Sequence, residues 1–222
     1  MSGDTSAVMG LNKHRIEALT DGIYAVAMTL LALELKIPES AQLGTESAFA
    51  RELVHLLPKF IAWLISFFIL GIFWLSHQRA FHFVRRVDAK LLWINLFALL
   101  FATLLPFSSA LVGEHSRFFA AQVFYAANMA ALALMAIWQV THLEKHPELC
   151  EPAIPWYVAR AARFRCWGLV AVAALAVAIA AVDPRLGTLA FMLMILLARI
   201  GRRMEAREAE KAALLSSDRP FP

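Results

Sequence analysis

Six long runs of apolar residues dominate this chain, and they restrict its fold more than any other feature. The runs cover residues 16–37, 60–81, 91–112, 118–140, 167–182 and 186–200. An α-helix rises about 1.5 Å per residue, so about 20 apolar residues cross the ~30 Å hydrocarbon core of a bilayer. A soluble core has no room for a composition in which 60% of residues are hydrophobic and 17% are charged. The sequence therefore predicts an all-α membrane protein with six transmembrane helices.

The last two runs are short, and Asp183, Pro184 and Arg185 separate them. A proline between two charges predicts a tight connection between two helices, whereas a kink at this point would leave only five spans. Lys and Arg concentrate in cytoplasmic loops, and six spans with the N-terminus inside place sixteen of the 21 basic residues in inner segments. We therefore predict a multi-pass protein of the cell (plasma or inner) membrane, with both termini cytoplasmic.

The first span carries polar residues that a bilayer does not tolerate without partners. Asp21 lies a turn or more inside the predicted hydrocarbon, where an unpaired carboxylate costs about 2.5–3.5 kcal/mol. On the predicted topology His77 and Asn95 lie at the same cytoplasmic side, near the ends of the second and third spans. We expect Arg15, Asp21, His77 and Asn95 to meet at one level and pin three helices together. Alternatively, Thr20 and Asp21 cap the start of a helix.

Another face of the first span is an apolar stripe. Its residues recur at steps of three or four positions and are Leu19, Gly22, Val26, Leu30, Leu33 and Ile37. Such a stripe lies on one side of a helix, and its usual role is ordinary packing against a neighbouring membrane helix. Small residues in the same span would let copies of the helix approach closely.

Motifs in the first three spans resemble those of a known family. The motifs are Arg15-x-x-x-Leu19-Thr20-Asp21-Gly22, Trp74-x-x-His77, and Trp93-Ile94-Asn95 leading to Leu105-Pro106-Phe107. They resemble the transmembrane protein 175 family, the bacterial relatives of the endolysosomal potassium channel, whose signature is Arg-x-x-x-Phe-Ser-Asp. Leu19 and Thr20 stand where that signature has Phe and Ser. The resemblance covers about residues 12–110.

The resemblance implies a homotetrameric, potassium-selective cation channel whose pore is lined by the first helix of each subunit. It implies a hydrophobic constriction at Val26, with Leu30 and Leu33 at the next two rings and Thr29 as the polar residue beside the constriction. Such a constriction can gate by dewetting. The family usually has Ile or Leu where Val26 stands, and we therefore expect this channel to close less tightly or to select less sharply than its relatives.

The resemblance also implies which residues support the pore helix, and we expect the chain to divide into three parts. The supporting network would consist of Arg15, Thr20, Asp21, His77 and Asn95. Residues 1–12 would be a flexible N-terminus, residues 13–203 a six-helix transmembrane channel domain, and residues 204–222 a cytoplasmic tail. The permeant potassium ion and the lipid bilayer would be the partners, without a further cofactor.

Two other classes of function are weighed against a channel. A proton-coupled secondary transporter or a proton-leak channel would use Asp21 and His77 as its titrating pair. An enzyme is not predicted, because the sequence has no nucleophile elbow, Gly-rich phosphate loop or Cys-x-x-Cys motif. His142 and His146 have a spacing that suits a metal, but Pro147 directly after them favours a solvated helix end. The net charge of +4 is spread over the loops, so we expect no nucleic-acid partner.

Overall fold

The structure is a computed structural model that describes residues 13–36 and 45–217, with side chains up to residue 211. Six helical segments in these residues are long and apolar enough to cross a membrane, judged by length and composition. The prediction of an all-α protein with six transmembrane helices is therefore confirmed. The helices are α1 (Lys13–Leu33), α2 (Glu46–His55), α3 (Leu57–His82), α4 (Ala89–Glu114), α5 (Phe119–Lys145), α6 (Trp156–Val182), α7 (Pro184–Gly187) and α8 (Leu193–Ser217).

Consecutive long helices pack side by side, so the chain runs up and down through one bundle. α5 packs between α4 and α6, α8 packs along α6, and α1 packs against α3 and α4. α1 is the least enclosed span, with 28% of its apolar window buried, whereas the other five have 39–50%. The first helix therefore lies at the edge of the bundle and leaves one face uncovered.

The connection between the fifth and sixth spans is a sharp turn, so the alternative of a single kinked helix is wrong. α6 ends at Val182, and the Asp183 side chain accepts a hydrogen bond from the backbone N–H of Arg185 at the start of α7. A Cβ added to Gly187 would lie 3.0 Å from the backbone oxygen of Ala176. Glycine lets the turn approach α6 this closely, and α8 then packs back along α6.

Two elements differ from the sequence-based expectation. The short helix α2 is not predicted, because its ten residues are too few and too polar to form a span. α6 begins at Trp156, well before the apolar run that starts at residue 167. The early part of α6 carries arginines whose charge is balanced from neighbouring helices: Arg163 pairs with Glu144 of α5, and Arg165 pairs with Glu205 of α8.

The loops at one end of the bundle are joined to each other. Val84 and Cys150 form an isolated antiparallel bridge, and the backbone N–H groups of Arg85 and Arg86 both donate to the oxygen of Leu149. Ile16 of α1 is buried in the apolar cluster beneath these loops, together with side chains from α3, α4 and α5. The first turns of α1 are therefore fixed against both loops.

Some sequence-based expectations fall on other parts of the chain. Ile37 of the stripe, the N-terminal residues 1–12 and residues 218–222 of the predicted tail lie outside the described residues. Within the described residues, α8 continues past residue 203, the predicted end of the channel domain, as far as Ser217.

Candidate pore helix

α1 has two faces with different surroundings. Its inward face is buried among α3 and α4 and consists of Ile16, Thr20, Tyr24, Ala27 and Leu31. The apolar stripe lies on the outward face, where Leu19 is 45% exposed, Val26 56%, Leu30 41% and Leu33 62%. The steps of three and four that separate the stripe from the buried residues are those of one continuous helix. Packing among the described residues therefore leaves about half of the stripe's side-chain surface uncovered.

The buried side-chain amide of Asn95 links α4 to α1 and α3. The Asn95 side-chain nitrogen on α4 donates to the Thr20 hydroxyl on α1 at 3.0 Å, and its oxygen lies 3.1 Å from His77 Nε2 on α3. The His77 ring also stacks on Phe81, with 4.1 Å between ring centroids. Thr20, His77 and Asn95 are all buried. These bonds hold α1 against α3 and α4 at one level, since a group without a partner in this environment would be costly.

Asp21 is held by a second, separate set of contacts. Its Oδ1 atom accepts a hydrogen bond from Trp74 Nε1 at 2.8 Å, and the side-chain amide of Gln78 also donates to it. Trp74 and Gln78 are one turn apart on α3, so both project toward α1. Within the described residues no hydrogen bond joins Asp21 to His77 or Asn95. Thr20 and Asp21 lie well inside α1, which begins at Lys13, and the alternative that they cap a helix start is wrong.

Arg15 is not brought to either set of contacts within one chain. It lies four positions before Leu19 and therefore continues the outward stripe toward the helix start. Its side chain is exposed, and it has no hydrogen-bond or ion-pair partner among the residues that the structure describes. Among the described residues Arg15 therefore does not meet Asp21, His77 and Asn95, because helical periodicity places it on the outward face of α1.

Sequence reasoning missed Gln78 and gave Trp74 no role in the network. Both were detectable in principle, because a polar pair spaced four positions apart within an apolar run marks one helix face. Thr29 was identified from the resemblance. Its hydroxyl donates to the backbone oxygen of Val26 at 2.8 Å, so the hydroxyl proton is used within α1 and the oxygen lone pairs are left on the exposed face.

The His142 and His146 pair serves the connections between helices. His142 Nε2 lies 2.9 Å from Asp88 Oδ2, and the other oxygen of Asp88 caps α4 by accepting from the backbone N–H of Leu91. Partial burial raises the pKa of Asp88, but the bonds from Leu91 and His142 outweigh it and the pKa is lowered. His146 pairs with Glu148. In the described ranges no three His, Cys, Asp or Glu side chains are grouped so as to hold a metal ion.

Comparison with known proteins shows the family to which this chain belongs. A family model described as endosomal/lysosomal potassium channel TMEM175 matches residues 15–106, which cover α1 from Arg15 onward, α2, α3, and α4 as far as Pro106. A Streptomyces collinus protein named as a potassium channel is 35% identical over 161 residues, which are 68% of this chain and 74% of that protein. This chain belongs to the TMEM175 family.

Other TMEM175 proteins extend the comparison. The crystal structure of a TMEM175 homologue from Chamaesiphon minutus, described as a lysosomal potassium-selective channel homologue, has 27% identity and a TM-score of 0.72, covering 85% of this chain and 97% of that one. The mouse endosomal/lysosomal proton channel TMEM175 is 30% identical over 188 residues, which are 74% of this chain and 36% of the mouse protein. The predicted family and fold are confirmed, and with its six apolar helices this TMEM175 chain is a multi-pass protein of the cell (inner) membrane.

Proposed function

We propose that this chain is one subunit of a potassium-selective cation channel and that α1 lines its pore. The observation that carries the proposal is the exposed apolar stripe on the least enclosed span, backed by polar contacts that fix the helix. A stripe of this kind on a single subunit encloses nothing, so several copies are needed to surround an ion path. The family relationship supports a homotetramer, and its channel-forming relatives support ion conduction rather than enzymatic activity.

The proposed constriction is a ring of Val26 side chains, with Leu30 and Leu33 completing an apolar stretch. Water leaves a narrow apolar stretch readily, which closes the path to ions without a physical plug. Thr29 directs its hydroxyl proton to its own helix, so a ring of Thr29 oxygens would offer lone pairs to a cation. In the assembled channel Arg15, which continues the stripe, would face a neighbouring subunit.

We expect purified protein in planar bilayers, with potassium on one side and sodium on the other, to carry currents. The reversal potential should shift from zero toward the potassium equilibrium potential, because potassium crosses the pore more readily than sodium. Addition of a pH gradient should leave that potential nearly unchanged. Protein from the same preparation that has been unfolded before reconstitution is the control. Absence of current, or reversal at zero with equal concentrations of the two ions, would contradict the proposal.

Val26→Ile is expected to lower the open probability by more than about fourfold and to increase potassium over sodium selectivity. Each subunit adds one CH₂ group to the ring, and each added group raises the cost of wetting by ~0.8 kcal/mol, which is a factor of about four per subunit. Single-channel recording measures both quantities. Val182→Ile is the matched control, since Val182 is 90% exposed on α6, away from the stripe. Equal effects of the two substitutions would argue that Val26 does not lie at the constriction.

A second candidate is a proton-leak channel or a proton-coupled transporter that uses Asp21 and His77. The naming of the mouse relative as a proton channel favours it. The separation of Asp21 and His77 into different hydrogen-bonded sets does not favour it, since no bond joins them along a relay. Currents that follow the proton gradient, and that are lost in Asp21→Asn and His77→Gln alike, would support this candidate over a potassium channel.

A further inference from the structure

A groove with a volume of about 570 Å³ lies between α3 and α8. One part of its wall is apolar and includes Phe68, Ile72 and Leu75 of α3 and Ile195 of α8. Phe68, Leu75 and Ile195 are each between 44% and 50% exposed. Because α8 packs mainly on α6, the space beside α3 stays open along the apolar part of both helices.

The other part of the groove is strongly basic. Arg79 of α3, Arg165 of α6, and Arg199 and Arg202 of α8 all line it. One carboxylate, Glu205, accepts bonds from Arg79 at 3.0 Å and from Arg165 at 3.3 Å. Four guanidinium groups against one carboxylate leave an excess of three positive charges.

Two features of these arginines point to a missing anionic partner. Arg165 is only 5% exposed, and it shares its carboxylate partner, Glu205, with Arg79, so its positive charge is only partly balanced. Arg199 and Arg202 are exposed, and neither has an acidic partner among the described residues. A guanidinium presents a planar fork of donors that suits a phosphate.

The position of the basic part fits the edge of the membrane. The apolar sequence of α8 ends at Ile200 and is followed by charged residues. Arg79 lies in the last turn of α3 and contacts Glu205. The arginines therefore lie where both helices leave the hydrocarbon, and the apolar part of the groove extends from them into it. Basic pockets between helices at this depth suit the headgroups of anionic lipids.

We propose that the groove between α3 and α8 binds an acidic phospholipid of the surrounding membrane. The lipid phosphate is held by the exposed guanidinium groups of Arg199 and Arg202, and the buried Arg165 adds its positive charge behind them. One acyl chain lies along Phe68 and Ile72. A soluble anion would use only the basic part, whereas a phospholipid matches both the charge and the apolar wall.

The test measures lipid retention by purified protein and does not depend on channel activity. Protein is equilibrated with mixed micelles containing phosphatidylglycerol or phosphatidylcholine, and bound lipid is counted by native mass spectrometry. We expect retention of phosphatidylglycerol over phosphatidylcholine. The double variant Arg199→Gln/Arg202→Gln should bind phosphatidylglycerol about 30-fold more weakly. Each basic residue near an anionic headgroup contributes about 1 kcal/mol, and the loss of two such contributions corresponds to this factor.

A matched control removes the same charge from the same helix outside the groove. Arg203→Gln/Arg207→Gln changes two exposed arginines of α8 that do not line the groove, and it should retain phosphatidylglycerol as the unmodified protein does. Equal losses in the two double variants would mean general surface attraction and would overturn the proposal.

A third variant tests the apolar half. Gly71 lines the groove, and a Cβ added there would meet only the Met28 Cε atom, at 3.9 Å, so we choose Gly71→Leu to fill part of the groove. We expect it to keep the thermal midpoint of the protein and to lose phosphatidylglycerol. Unchanged lipid binding by this variant, together with displacement of the lipid by millimolar inorganic phosphate, would assign the site to a soluble anion and overturn the lipid proposal.

Discussion

Asn95→Leu is expected to lower the free energy of unfolding by about 2–4 kcal/mol. Hydrogen bonds between membrane helices average ~0.6 kcal/mol each, so the loss of both Asn95 bonds accounts for only about 1 kcal/mol. The larger contribution comes from His77, whose Nδ1 atom already has no partner within the described residues. With Nε2 also unpaired, a buried ring loses its last hydrogen bond at a cost of about 1–3 kcal/mol. Titration with SDS in mixed micelles measures the change.

Asn128→Leu is the matched control for this substitution. Asn128 is 4% exposed and Asn95 1%, so both are buried amides in apolar helices. Asn128 makes one side-chain bond, to Ser108, and its own oxygen has no partner in the described part of the chain. Ser108 keeps its bond to the backbone oxygen of Leu105 when the amide is removed. We expect a change below about 1 kcal/mol; equal losses at the two positions would show that bridging by Asn95 adds nothing.

Asp21→Ala is expected to lower the free energy of unfolding by about 1–3 kcal/mol and to reduce the number of active channels. The substitution leaves the Trp74 indole N–H and the Gln78 amide without their shared acceptor. Both donors are only partly buried, and removal of a carboxylate from the membrane is itself favourable, so the net cost stays below that of Asn95→Leu. The same detergent titration gives the stability, and counting channels per reconstituted protein gives the second quantity.

Asp21→Asn separates the hydrogen bonds from the charge. It retains a side-chain oxygen that accepts from both donors, so we expect less than half of the alanine effect. In the Asp21→Ala background, Gln78→Met removes the Gln78 N–H donor that has lost its acceptor, and it should recover part of the lost stability. A double-mutant cycle of the two single variants and the double variant measures this coupling between Asp21 and Gln78. Glu34→Gln, directly after α1 and exposed, is the neutral control. An equal cost for Asn and Ala would mean that the negative charge, and not bonding to α3, matters at this position.

Hydropathy and the placement of basic residues suffice to predict the six spans, because a bilayer imposes length and composition on every helix that crosses it. The same reasoning does not find α2, which is short and polar, or the true start of α6 at Trp156. That early part of α6 depends on Glu144 and Glu205, which are distant in sequence from Arg163 and Arg165. Charge balance between separate helices is a tertiary property that a one-dimensional pattern does not contain.

The candidate site was predictable as a set of polar residues but not as a set of contacts. Thr20, Asp21, His77 and Asn95 stand out because each interrupts an apolar run. The partner of each one depends on how α3 and α4 are rotated about their axes. That rotation directs Trp74 and Gln78 toward Asp21, and it places His77 in hydrogen-bonding contact with Asn95. Arg15 was assigned to the same set, although its spacing from Leu19 already places it on the outward face.

The burial of Ile16 beneath the two joined loops fixes the N-terminal end of α1. Val26 lies ten residues further along the helix, about 15 Å from that end at 1.5 Å per residue. A tilt of about 10° around Ile16 moves the Val26 side chain by about 2.6 Å and moves Thr20 much less. Thr20 and Asp21 lie between these two positions, and their bonds to α4 and α3 restrain such a tilt. A displacement of the loops that carry Val84 and Leu149 therefore reaches the exposed stripe only if these contacts move with it.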